Sequence, residues 1–495
     1  MKTFHFYSIL IVVIFTSVSC KNSGRAIFNS IPDYNQIDTA ILSSAIKAHF
    51  QDSKRTDPAA KWTKQWYSTH SYQPLWTRQP INSFKLDTLL LFISQVQEHG
   101  LCPEQFGFKT ISSLKKQLVK QKLSYNQLAE LELTASRVYL EYCGGLRFGF
   151  INPKKTCPNY YFQTLQINET FTNSYLKGIA NYLFSHLSKA QPTDENYLVL
   201  QELKKKFKNN PDSAQYVDKI NVNLERLRWK IKSLGSKYIR VNVADMTLTA
   251  FRNDSVALKM KVVVGKAPHN RTPFLQSSIY QLIINPTWTV PSSIVVKEIA
   301  KLALIHEDYF ERHNIHVYRH GEEIDPTTID WSKVSKTNQP YKLIQASGSN
   351  NSLGRIKFVF GNRFSVYLHD TNAKGAFYRS NRALSHGCVR VERPLELASF
   401  CLADVKPDNL KKIEKKNLML DKIRYSMDLN VVSAIGRDSL RSNPKGMKIS
   451  RIRLSPCIPV LLDYNTCFRN ARGEVQFRND IYKVDSVLSR RLKNL

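Results

Sequence analysis

The chain has 495 residues, 42% hydrophobic and 11% aromatic, with 72 Lys and Arg against 40 Asp and Glu, a net charge of +32. This length accommodates two or three domains with sizeable cores, and the apolar fraction excludes a globally disordered chain. The basic residues are spread along the sequence without a zinc-finger, RNP or basic-helix pattern, so an anionic wall polymer, a membrane surface or plain solvation suits them better than nucleic acid.

At the N-terminus, Met1-Lys2 leads into an apolar run from Tyr7 to Val18 that ends at Ser19-Cys20. A short apolar core followed by small residues and a cysteine predicts a lipoprotein signal peptide over 1–20, too short for a membrane span. Cys20 then becomes the lipidated first residue. Ser17 stands where such a motif usually has Leu, which leaves plain secretion or an uncleaved anchor open. The chain is therefore expected to be exported and periplasmic, held to a membrane by its lipid, with residues 21–37 as a tether.

From 38 to 235 the pattern is helical. Leu86, Leu89, Leu90, Ile93 and Val96 recur at helical spacing before Gly100, as do Leu131, Ala135, Val138, Tyr139 and Tyr142 before Gly144-Gly145. Trp62, Trp66 and Trp76 form an aromatic cluster that could bind sugar rings, though helical spacing favours a core role. Past 236 the period becomes two. Tyr238–Val243, Leu258–Val264, Ser278–Asn285, Ile356–Phe360 and Phe364–His369 read as strands of a mostly-β domain closing near 405. A charged, helix-leaning insertion spans about 294–341, and Pro394–Ala403 reads as a helix. A basic stretch follows from 406 to about 453, and a C-terminal segment runs to 495.

Seven cysteines follow Cys20: Cys102, Cys143, Cys157, Cys388, Cys401, Cys457 and Cys467. None falls in a Cys-x-x-Cys or a Cys/His zinc spacing, so no metal site is expected. An odd number leaves a thiol free, while Cys457 and Cys467 could be bridged.

The chemistry concentrates in one stretch. His369 ends a strand, fifteen residues intervene, and Ser385-His386-Gly387-Cys388-Val389-Arg390 follows. A cysteine nucleophile needs a base and nearby N–H donors, and Gly387 lets the backbone approach a substrate carbonyl closely. His369 suits the base. His386 assists electrostatically or orients the loop.

This ordered set resembles the signature of the L,D-transpeptidases (YkuD-type catalytic domain). Tyr72–Trp76, Gly100–Pro103, Gly144–Pro153 and Leu224–Trp229 resemble the helical scaffold and lead-in segment of the large, lid-bearing L,D-transpeptidases of Gram-negative bacteria. Asn285–Pro291 and Asn350–Phe358 are similar to the same enzymes. Those relatives carry a small helical peptidoglycan-binding module before the lead-in segment. Here 196–221 is short and charged, so that module is expected to be absent or reduced.

The resemblance implies an α+β protein: a helical scaffold domain, then a mostly-β catalytic domain with a helical lid insertion. It also implies an acyltransferase acting on peptidoglycan stem peptides. Cys388 would attack the carbonyl of residue 3 of a tetrapeptide, D-Ala would leave, and an amine of a second stem would resolve the thioester into a 3-3 cross-link. His369 is the expected general base, and the N–H groups of Gly387 and Cys388 are the oxyanion donors, with His386 beside them. Asp370 would set the His369 tautomer through its backbone. Arg390 either holds the substrate carboxylate or makes a structural ion pair with Glu392 or another acid. Trp288, Tyr367, Asn351 and Ser385 complete the expected substrate contacts, and no cofactor is implied. With water or a protein amine as acceptor the same chemistry would give an L,D-carboxypeptidase or a protein-to-wall attachment enzyme. An unreactive Cys388 would leave a wall-binding lipoprotein.

Overall fold

Helices build the chain as far as Arg228. In the computed structural model, residues 26–52, 55–157, 159–208, 210–403, 449–470 and 472–495 are described. The expected signal peptide with Cys20, the start of the tether and most of the basic stretch lie outside the described residues.

The long central helix, Tyr125–Phe148, begins at Ser124, whose hydroxyl accepts the Gln127 N–H while the Gln127 side chain returns to the Ser124 N–H. Both open donors are thereby closed. The leucine repeat forms Phe84–Ser94, with Leu86, Leu89 and Ile93 turned inward. Gly144-Gly145 lies inside the central helix, which runs on to Phe148. Their bare backbone admits neighbouring side chains: a Cβ on Gly145 would sit 2.1 Å from the Phe150 ring.

Trp66 and Trp76 are buried in this half, and the Trp76 indole donates to Ser136 Oγ at 2.9 Å, so they are core residues. Glu132, on the central helix, is fully buried. Its carboxylate accepts the N–H groups of Leu75, Trp76 and Thr77 and the hydroxyls of Tyr67 and Thr77. The charged stretch 196–221 falls within two packed helices, Glu195–Lys208 and Ala214–Arg228. Their apolar side chains Tyr197, Leu200, Ile220 and Leu224 close over Cys467.

Strands begin with β1 (Lys237–Asn242), β2 (Thr247–Arg252), β3 (Ser255–Gly265) and β4 (Leu275–Ile284). Next come β5 (Trp288–Thr289), β6 (Ile315–Arg319), β7 (Glu322–Ile324), β8 (Lys342–Gln345) and β9 (Ile356–Phe360). Last are β10 (Leu368–His369), β11 (Ala383–Ser385), β12 (Val389–Val391), β13 (Ser450–Asp463), β14 (Cys467–Arg469) and β15 (Val475–Phe477). Nine of them form one sheet in the order β11-β3-β12-β10-β9-β4-β13-β1-β2. β3 pairs β2 along its first part and β12 and β11 along its last, which closes the sheet on itself. Inward Ile239, Val241, Val262, Val264, Leu282 and Phe358 fill its core. β13, from the segment read as lying beyond the catalytic domain, is an inner strand between β4 and β1.

The insertion expected to be a helical lid is helical at its start, through Ser292–Ile294, the π-helical Val295–Ile299 and Ala300–Ala303, and again in the short helix Tyr309–Arg312. Its remainder forms a second sheet, β5-β8-β6-β7, over a core of its own with Val295, Phe310, Val317, Trp331 and Leu343. Ile315-His316-Val317 alternates inward and outward, a strand signal hidden by the surrounding charges. Among the described residues no helix is long and apolar enough to cross a membrane.

Candidate active site

β10 and β12 run side by side in parallel, with Leu368 opposite Val389 and His369 opposite Arg390. That pairing brings the two ends of the motif together across fifteen intervening residues. The expected strand from Phe364 is confined to Leu368–His369 because Ser365 takes a left-handed conformation, φ 54°. Asn362 stabilises that turn by accepting the N–H groups of Phe364 and Val366. The turn presents the Ser365 carbonyl 3.7 Å from the Cys388 sulfur.

Gly387, φ +120°, occupies a backbone region open to glycine and costly for other residues, so the motif needs glycine there. Ser385 fastens the turn from within: its hydroxyl accepts the Gly387 N–H at 3.1 Å and donates to the Cys388 carbonyl at 2.6 Å. Thr272 fastens it from outside, its hydroxyl donating to the Gly387 carbonyl and accepting the Gly265 N–H, both at 2.9 Å. Tyr482 joins this network by accepting the Thr272 N–H and donating to the Gly265 carbonyl.

Ser385 is therefore buried and engaged with the loop, and the Gly387 N–H is spent on it. This alters the expected oxyanion pair: of the two N–H groups, that of Cys388 is the one without a partner among the described residues.

Cys388, His369, His386, Arg390, Tyr367 and Trp288 line one cleft of about 640 Å³ between the closed sheet and the insertion. His369 is buried, and its Nδ1 is hydrogen-bonded to the Asp370 carbonyl. Because a carbonyl can only accept, the neutral ring carries its proton on Nδ1 and keeps Nε2 as its basic nitrogen. Burial, then the Arg390 charge, hold the imidazole down to about 3, so it is neutral at pH 7. The Asp370 carboxylate accepts the Arg355 N–H and pairs with Lys374.

Burial raises the Cys388 thiol above its ordinary range, while the Tyr367 hydroxyl and backbone N–H, Lys357 and Arg390 pull it down. The buried Cys157, Cys401 and Cys467 are pushed up to about 12. Cys388 is half-exposed in the cleft, and all seven described cysteines are free, so Cys457 and Cys467 are not bridged. At rest the pair is thus thiol and neutral imidazole.

Arg390 is half-buried, and its Nε has no hydrogen-bond partner among the described residues. Glu392 accepts the Lys261 N–H, and among the described residues Arg390 makes no ion pair with it or with another acid. Tyr367 lines the cleft beside Cys388 and Trp288, and burial raises its phenol well above the ordinary range. Asn351 does not line the cleft. It is buried, donating to the Ala346 carbonyl and accepting the Leu353 N–H. His386 Nε2 lies 2.5 Å from Glu298 Oε1 and so bridges the Ser385–Cys388 loop to the insertion.

Sequence reasoning missed Lys357, Thr272 and Glu298, whose places depend on strand register and tertiary contact. Among the described residues no three His, Cys, Asp or Glu side chains gather as a metal site.

Residues 236–414 match the YkuD family, the L,D-transpeptidase catalytic domain, and residues 61–203 match the Scaffold domain. A Haemophilus influenzae protein named "Putative L,D-transpeptidase" is 32% identical over 213 residues, 42% of this chain and 42% of its own length. The match thus spans under half of that curated relative. Two solved structures share less. The L,D-transpeptidase from Mycobacterium smegmatis has 16% identity and TM-score 0.19, over 33% of this chain and 53% of that one. The Ldtfm–avibactam carbamoyl enzyme has 11% identity and TM-score 0.20, over 50% and 88%. TM-scores this low give neither structure any weight here.

Proposed function

Because this chain carries a YkuD L,D-transpeptidase catalytic domain behind a Scaffold domain, we propose that it cross-links peptidoglycan stem peptides by acyl transfer through Cys388. The observation that carries this reading is the meeting of a half-exposed thiol, a neutral imidazole and an unpaired guanidinium in one cleft. Cys388 Sγ attacks the carbonyl carbon of residue 3 in a tetrapeptide stem while its proton passes to His369 Nε2. The C–N bond to D-Ala breaks, the departing amine takes that proton, and a thioester remains. A side-chain amine of a second stem then attacks the thioester and gives its proton to His369. The C–S bond breaks, and His369 returns the proton to sulfur, leaving a 3-3 cross-link.

The Cys388 N–H is available to each oxyanion. The D-Ala carboxylate fits Arg390, whose guanidinium can grip it with two hydrogen bonds. Its arrival would neutralise a charge that keeps His369 a weak base, so substrate binding itself would favour proton transfer. Export and lipid attachment at Cys20 belong to the same proposal, because the substrate lies outside the cytoplasm.

Intact-mass measurement of the purified protein with disaccharide-tetrapeptide, beside Cys388→Ala, tests the reading. A thioacyl adduct on the unsubstituted protein alone, followed by dimer, supports it. An adduct resolving only to tripeptide would make the protein a carboxypeptidase, and a folded protein forming no adduct would overturn the mechanism.

A further inference from the structure

Three neighbouring strands set a row of basic groups beside the nucleophile. β9 and β10 are antiparallel with Lys357 opposite His369, and β10 and β12 are parallel with His369 opposite Arg390. Residues opposite each other on paired strands project from the same face, so Lys357, His369 and Arg390 stand side by side. The outer two differ in what they meet. Arg390 lines the cleft, where an incoming carboxylate can take it up, whereas Lys357 does not.

The Lys357 ammonium sits 3.7 Å from the centroid of the Tyr367 ring, well inside cation–π range. Tyr367 shares the cleft lining with Cys388, and its hydroxyl acts on the Cys388 sulfur in the sense that favours thiolate. Lys357 is half-buried and makes no ion pair among the described residues. Burial weakens its hold on its proton, and the charge acting the other way is the Cys388 sulfur. A lysine with only a packing role normally extends its ammonium to water or finds a carboxylate. This one has an aromatic face and a sulfur.

We propose that Lys357 is a positioning residue for the thiol chemistry: its ammonium clamps the Tyr367 ring so that the phenol O–H stays on the Cys388 sulfur, and its charge favours thiolate over thiol. Because Lys357 lies outside the cleft lining, this charge remains when substrate neutralises Arg390. The inference rests on Cys388 as nucleophile but not on which group accepts the acyl chain.

Several groups face the sulfur: Tyr367 and His369 from β10 and its approach, Lys357 from β9, and Arg390 from β12. His386 stands on the nucleophile loop, bonded to Glu298 of the insertion. Alkylation of Cys388 by iodoacetamide, read by peptide mapping of the full-length protein from pH 5 to 10, isolates the thiol from any acyl acceptor. The exposed Cys102 and Cys457 are internal references. Lys357→Met is expected to slow Cys388 alkylation about tenfold at pH 7 and move its profile to higher pH. Lys357→Arg should restore most of the rate, and the reference cysteines should be unaffected. Running the series in a His386→Gln background should leave the shift in place, separating it from titration of His386. Coincident profiles for Lys357→Met and the unsubstituted protein would overturn the proposal. So would a folded Lys357→Arg as slow as Lys357→Met. If Lys357→Met does not fold, Lys357→Gln is read by the same criteria. Failure here with an intact thioester adduct would remove Lys357 from the mechanism and leave the transpeptidase reading standing.

Discussion

The scaffold and the catalytic cleft each bury charge, and they treat it in opposite ways. Glu132 is sealed in the scaffold with both oxygens saturated, binding the Leu75–Thr77 turn to the central helix. In the cleft, Arg390 Nε has no partner among the described residues, and Lys357 has an aromatic face in place of a carboxylate. Desolvating a charge is costly in both places. In the scaffold, protein hydrogen bonds offset that cost permanently. In the cleft the compensation is incomplete until substrate arrives, as expected where binding energy is directed at a reacting group.

Breaking each side of this contrast should give opposite readouts. Cys388→Ala should lower turnover by about 10⁴-fold or more while leaving the urea unfolding midpoint unchanged; a substantial residual rate would mean the nucleophile lies elsewhere. Glu132→Ala strands the turn's N–H groups and should cost about 3–5 kcal/mol of stability. Activity per folded molecule should survive, and an unshifted midpoint would show the network to be dispensable. Arg390→Leu should reverse that pattern, lowering kcat/KM roughly a hundredfold with stability equal or higher. A stability loss matching the loss of activity would make Arg390 structural.

The two buried histidines sharpen the comparison. His99 in the scaffold and His369 in the cleft are both held down to about 3, by burial first and then by Arg228 and Arg390 respectively. Unfolded, each imidazole takes a proton near its ordinary 6.5, while the folded chain resists until about 3. Their contribution to stability is therefore complete above about pH 6.5 and is lost as pH falls towards 3. Urea midpoints at pH 7 and pH 5 should differ accordingly, and His99→Asn and His369→Asn should each flatten the slope. A slope unaltered in both would show that they are not the linked groups. The smallest effect is expected from Glu298→Gln, which weakens an exposed pair with His386 worth no more than about 1 kcal/mol. KM should move by a few-fold at most, and a large loss would mean the insertion is held over the cleft mainly by this contact.

The motif from His369 to Arg390 was legible because its chemistry is written in local order and spacing. β1, β3, β4, β9 and the helix Pro394–Leu402 were legible because alternation or an apolar stripe marks them. What stayed hidden depends on contact between distant residues. The insertion's sheet pairs short strands within charged sequence. Asn351 and Ser385 are polar residues of a site-like motif whose hydrogen bonds turn out to go to their own loops. Lys357 and His369 both lay in segments read as strands, but no local signal gives the register that makes them neighbours.

β13 carries a consequence for how the protein is made. Ile239 of β1 pairs with Val460, and Ile279 of β4 with Ile458, so the sheet gains this inner strand only once residues 450–463 have been synthesised, long after β1 and β4. Tyr482, which ties down Thr272 and Gly265, arrives later still. The scaffold can consolidate while translation continues, but the sheet that carries the cleft stays an open set of strands until β13 and Tyr482 have been made. A ribosome that stops before β13 therefore releases a chain with Cys388 present and no finished cleft around it.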